Sequence, residues 1–145
     1  MAAPVSRSWS SGCAAISSLR LTMSFKIMAY VTTVAGFVLG LRFIFFGASV
    51  LKQWGMEATD VSLFMCRRYG ALYLGLAVLF LLGRNAAPSD LRSAVCLGMG
   101  AAIALLAGLG SWELSAGRAT SGILVPVIVE VVLAAGFGWA WWGGR

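Results

Sequence analysis

The chain has 145 residues, of which 60% are hydrophobic and only 11% charged, with 11 Lys and Arg against 5 Asp and Glu for a net charge of +6. A soluble domain carries about a quarter charged residues, so this composition excludes an ordinary soluble enzyme and a disordered tail. Nucleic-acid binding is excluded too: it needs Lys and Arg gathered into a patch that covers phosphates, and here the basic residues are dispersed among apolar runs.

In chain order, residues 1–25 form a basic, Ser-rich N-terminal tail with Arg7, Arg20 and no acid. That composition suits an organelle transit peptide. The other reading is an over-long gene start, with Met23-Ser-Phe-Lys26 as the true beginning; the Ala- and Gly-rich, short-looped, bacterial-looking chain favours it. Residues 26–145 read as a single all-α domain, a four-helix transmembrane bundle. Its apolar stretches run over about 27–51, 61–83, 93–112 and 123–142, each matching the roughly 20 helical residues that cross a hydrocarbon core. The connections at 52–60, 84–92 and 113–122 carry turn and capping chemistry, as in Asn85-Ala-Ala-Pro88-Ser-Asp90 and Ser115-Ala-Gly117.

With four spans both termini share a face. That face holds Arg7, Arg20, Lys26, Arg84, Arg92 and Arg145, while the loops opposite hold Lys52 and Arg118. Basic residues concentrate on the cytoplasmic side, so both termini are expected there. Trp54 and Trp112 mark one rim, and Trp139, Trp141 and Trp142 the other. The bacterial inner membrane is the expected location, with an organelle inner membrane as the alternative if the tail is a transit peptide.

Helices in lipid associate through close backbone approach at small residues. Gly36, Gly40 and Gly47 form such a stripe on the first helix, and Gly100, Ala104 and Gly108 on the third. Both stripes are expected to be helix-packing faces.

Little points to catalysis. There is no histidine, Cys13, Cys66 and Cys96 form no CxxC pair, and no nucleophile-elbow, phosphate-loop or paired-carboxylate motif occurs. No catalytic residue, metal ligand set or cofactor is assigned.

One constellation stands out. A charge within a span costs about 2.5–3.5 kcal/mol at the bilayer centre, so it usually faces the bundle interior or an opposite charge. Arg42, Arg67, Arg68 and Glu130 all fall inside spans. A rise of about 1.5 Å per residue puts Arg42 about 13 Å, and the other three about 10 Å, from one face. Glu130 is expected to neutralise Arg42 or Arg67, and Glu57, Asp60 or Glu113 at the rim to reach toward the rest. Arg42 projects roughly opposite the glycine stripe of its helix. Either the glycines pack inside and Arg42 is offered to a partner, or Arg42 is buried and the glycines face outward. This cluster is a salt bridge fixing register, or a site for a lipid headgroup or quinone, with Cys66, Tyr69 and Tyr73 nearby.

The stretch Cys66-Arg-Arg-Tyr-Gly-Ala-Leu-Tyr-Leu-Gly-Leu-Ala, after a first span ending near Leu51, resembles small bacterial four-helix membrane proteins of the DoxX-like kind and their uncharacterised relatives. The resemblance implies a compact four-helix domain, sometimes an accessory subunit of a quinone-linked oxidoreductase, and brings no catalytic residues. Small multidrug transporters share the size and four spans, but their essential glutamate is in the first helix, whereas Glu130 is in the fourth.

The expected role is a non-enzymatic accessory or assembly protein in the lipid bilayer, a homo-oligomer or part of a larger membrane complex, whose Arg/Glu cluster holds a lipid or quinone. The alternative is a small transporter or channel with Glu130 and the arginines as its polar pathway.

Overall fold

A computed structural model of the chain describes the backbone of residues 8–143 and the side chains of residues 24–143. Most of the tail at 1–25, Cys13 included, therefore lies outside the described side chains. Four helices follow in order: α1 Ser8–Gln53, α2 Asp60–Gly83, α3 Asp90–Ser115 and, after a 3₁₀ turn at Ser121–Ile123, α4 Leu124–Trp142. The described residues contain no strand.

Four segments are long and apolar enough to cross a membrane: Ser24–Gln53, Asp60–Gly83, Asp90–Ser115 and Ser121–Trp142. Helices α2 and α3 begin slightly before the apolar stretches they contain, because capping groups extend a helix into polar sequence. Thr59 and Ser62 form a reciprocal capping box at the start of α2: the Ser62 N–H donates to Thr59 Oγ1 (3.2 Å) and the Thr59 N–H to Ser62 Oγ (2.9 Å). Ser89 Oγ accepts the Arg92 N–H at 3.2 Å at the start of α3. Pro126 sits in the first turn of α4, where an N–H would have no intrahelical partner. Gly55 and Gly117 adopt left-handed backbone (φ 80° and 69°) just past α1 and α3, the conformation in which glycine ends helices.

The inward residues of every helix step alternately by three and four. On α1 they include Ala29, Thr33, Gly36, Gly40, Phe43, Gly47 and Val50; on α2, Cys66, Gly70, Tyr73, Ala77 and Phe80. On α3 they are Cys96, Gly100, Ile103, Ala107 and Gly110, and on the 3₁₀ turn and α4 Ile123, Val127, Glu130, Ala134 and Phe137. That 3.5-residue period is the seam of helices crossing at a shallow angle.

The glycines of α1 pack inside. A Cβ on Gly36 would stand 3.0 Å from the Ala77 Cβ and the Tyr73 carbonyl, one on Gly40 2.9 Å from the Gly70 carbonyl, and one on Gly47 3.1 Å from the Cys66 Cβ. On α3 the expected stripe is only partly used. Gly100 faces Phe137 and Ala134, but Ala104 and Gly108 are exposed, and nothing lies within 4 Å of a Cβ on Gly108. Each i+4 step overshoots a full turn by about 40°, so two such steps carry Gly108 off the seam. The close approach to Val127 is made by Gly110 instead.

Helices α1 and α2 thus form one hairpin, and α3 and α4 a second. The hairpins meet through α1 and α4, while α2 and α3, although consecutive, do not pack along their lengths. At the end that holds the α2–α3 connection all four helices converge on a core including Phe25, Phe80, Cys96, Ile103 and Phe137, with the Phe80 and Phe137 rings 5.5 Å apart. Arg92 is buried there, its guanidinium 4.5 Å over the Phe25 ring and its Nη1 donating to the Ala86 carbonyl at 3.3 Å. At the other end the core divides. Phe43, Val50, Leu51 and Cys66 serve the first hairpin, Ala107, Ile123 and Val127 the second, and Trp54 packs against both.

Candidate functional site

Between the divided hairpins lies a cavity of about 490 Å³ with walls from all four helices. Contacts of α1 with α2 and α4, and of α3 with α4, close three sides; the separation of α2 from α3 leaves the fourth open. Arg42 and Glu130 both line this space; Arg67 and Arg68 do not.

The division follows from helix geometry. On α2, Cys66 and Gly70 turn toward α1, which places Arg67 and Arg68 about 100° and 200° around the helix from Cys66. Both are exposed, and the Arg68 guanidinium lies 5.7 Å over the Phe64 ring. On α4, Glu130 occupies a seam position between Val127 and Ala134 and is half-buried facing the cavity. On α1, Arg42 neighbours the buried Phe43 and lines the same space from the end where the core divides. Glycines inside and Arg42 toward the second hairpin are therefore satisfied together.

The expected ion pair is not formed. Glu130 makes no salt bridge or hydrogen bond with a described protein group, and the salt bridge among the described residues is the exposed one between Arg118 and Glu113 at 2.6 Å. Arg42 instead donates from Nη2 to Gln53 Oε1 at 2.6 Å. The two lie eleven residues apart on α1, about 16 Å along a straight helix, with non-helical backbone at Phe46 between them (φ −123°, ψ 26°).

Gln53 also belongs to a clasp between the hairpins. Its carbonyl accepts the Thr120 hydroxyl at 2.6 Å, the Thr120 N–H donates to the Trp54 carbonyl at 3.0 Å, and Gly122 abuts the Gln53 carbonyl so closely that no Cβ would fit. Trp54, Phe43 and Tyr73 form one aromatic wall: Phe43 stacks on Tyr73 (5.7 Å, 14°) and meets Trp54 edge-on (5.7 Å, 64°).

Toward the converged end, Thr32 borders the cavity at 7% exposure, with its Oγ1 lacking a partner among the described residues. The adjacent Thr33 follows the usual helical pattern and donates to the Ala29 carbonyl at 2.8 Å. Thr32 and Gln53 are the polar groups that sequence reasoning passed over. A threonine in an apolar helix usually satisfies its hydroxyl on its own backbone, and Gln53 lies just past the apolar stretch.

The remaining wall is aliphatic, with Met99, Ala102, Ile103 and Leu106 supplied by α3. Such a site can hold an apolar body while presenting a carboxyl group and a guanidinium at separate points. Among the described residues no three Cys, Asp or Glu side chains gather as metal ligands. No protein-family model, curated protein or solved structure matches the chain.

Proposed function

We propose that the chain is a multi-pass membrane protein, its four apolar helices spanning the bilayer and both termini in the cytoplasm. The outward residues support this. Leu105 is 69% exposed, Val132 65% and Leu82 75%, and such side chains surround the bundle, a surface that water would drive to aggregate. Exposed tryptophans sit at opposite ends, Trp112 at one and Trp139 and Trp142 at the other, as in the aromatic belts of membrane proteins. The basic residues of the loops set the orientation, and the bacterial inner membrane is the location that the composition suits.

Within that frame the chain acts as a non-enzymatic accessory protein, alone or in a larger membrane complex, that holds a lipophilic molecule such as a lipid or quinone. The observation that carries this reading is the cavity itself: aliphatic and aromatic walls, one acid, one base, and an open side between α2 and α3 facing the lipid. Apolar walls with a few convergent polar groups are the general character of small-molecule sites. Glu130, without a partner among the described residues, also lends support to the alternative of a small transporter that uses it in a polar pathway.

Native mass spectrometry of gently extracted protein tests the lipophile reading. A reproducible adduct of lipid or quinone size is expected on the wild type and on Arg67→Ala, and its loss is expected on Ala102→Phe, which fills the cavity from the α3 wall. A bare wild-type chain, or equal loss in both variants, would overturn it. A whole-subunit increment would identify the partner complex.

A further inference from the structure

We infer that the cavity takes a lipophilic organic cation, its charge set against the Glu130 carboxylate and its apolar groups against the Tyr73–Phe43–Trp54 wall. This rests on the reading of the cavity as a lipophile site and narrows the class of molecule.

The charges decide the sign. Of the lining residues, those that ionise are Arg42 from α1, Tyr69 and Tyr73 from α2 and Glu130 from α4, while α3 supplies none. Arg42 is exposed at the clasped end, with its guanidinium turned to Gln53. Glu130 lies deeper on the seam, half-buried, and no described group pairs with it. An ion taken into apolar surroundings demands a counter-charge, so the site's unmet requirement is for positive charge. An anionic lipophile would meet the carboxylate as a like charge, and a neutral one would leave it uncompensated.

The aromatic wall points the same way. Ring faces carry negative charge density and attract cations, most strongly where water is excluded. Phe43 presents one continuous stack with Tyr73 and an edge contact with Trp54. A cavity of about 490 Å³ is the size of pockets that hold drug-sized molecules, and the gap between α2 and α3 admits a compound already dissolved in the bilayer.

Equilibrium dialysis of the full-length protein in lipid nanodiscs separates the possibilities, with radiolabelled tetraphenylphosphonium as cationic probe and decylubiquinone as neutral probe. The wild type is expected to bind the cation. Glu130→Gln should weaken that binding by roughly tenfold or more, as removal of a charge-assisted interaction from a dry site does, and leave decylubiquinone within about twofold. Because the charge of the phosphonium is fixed, a pH titration of the wild type reads the protein alone. Cation binding should therefore fall in acid as the Glu130 carboxylate takes up a proton. Equal cation binding by the folded Gln variant, a flat acid titration, or binding of decylubiquinone alone would overturn the cation assignment while the lipophile site stands. A folded wild type that binds neither probe would overturn both.

Discussion

Gly70 and Gly108 show how differently the same residue type acts in this bundle. A Cβ on Gly70 would stand 2.7 Å from the Gly40 carbonyl and 2.6 Å from Ile44 Cγ1, so the α1–α2 backbones must separate to admit it. Gly70→Ala is expected to lower stability by about 1–3 kcal/mol, the usual range for overpacking. Gly108 meets nothing within 4 Å, and Gly108→Ala should change stability by no more than about 1 kcal/mol, toward higher stability through helix propensity. Thermal denaturation of both variants in one detergent tests the pair, and equal loss in both would place Gly108 in an interface. A repeat at i+4 is visible in either helix, but only a repeat of three and four stays on the seam. That is why Gly36, Gly40 and Gly47 were legible as a packing face and Gly110 was not. Glu130 was legible as a charge among apolar neighbours, whereas its lack of a partner depended on where Arg42 and Arg67 turned.

The elements themselves were legible because the length and hydropathy of a spanning helix are set by the chain alone. The apolar stretches at 61–83 and 123–142 lie within α2 and within the 3₁₀ turn plus α4, and the Thr59–Ser62 capping box sets the difference at the start of α2. How the elements dock was less visible, since it rests on polar contacts between segments far apart in sequence. Thr120 and Gln53 are 67 residues apart and lie in connections that read as ordinary loops. Thr120→Val keeps the shape and removes the hydroxyl, leaving the Thr120 N–H to hold the Trp54 carbonyl. A loss of about 1 kcal/mol is expected, the usual net worth of one hydrogen bond. Hydrogen exchange should localise it, with faster exchange at the position 120 amide and unchanged rates in α2 near Phe80. Uniformly faster exchange would mean that the clasp supports the whole bundle.

At the scale of the whole molecule, the order of packing departs from the order of the chain. Nothing in the polar connection at 84–92 announces that α2 and α3 stand apart while α1 and α4 meet, because sequence shows which residues are apolar and not which helix they face. Orientation is the global property most directly open to test. In a cysteine-free background reconstituted into vesicles with the native outer face outward, a membrane-impermeant maleimide should label Ser115→Cys at once and Asn85→Cys only after permeabilisation; the reverse pattern would invert the topology. The native thiols offer a different use. Cys66 is buried beside Gly47 in the first hairpin, and Cys96 in the core where all four helices meet. Each is a reporter for a separate joint of the molecule. If the hairpins part before the shared core melts, the Cys66 thiol stays protected while α1 and α2 remain paired, and the Cys96 thiol is exposed only when the converged end opens. With Cys13 replaced by Ser, their relative alkylation rates would time the separation of α1 from α2 against the opening of the converged end within a single chain.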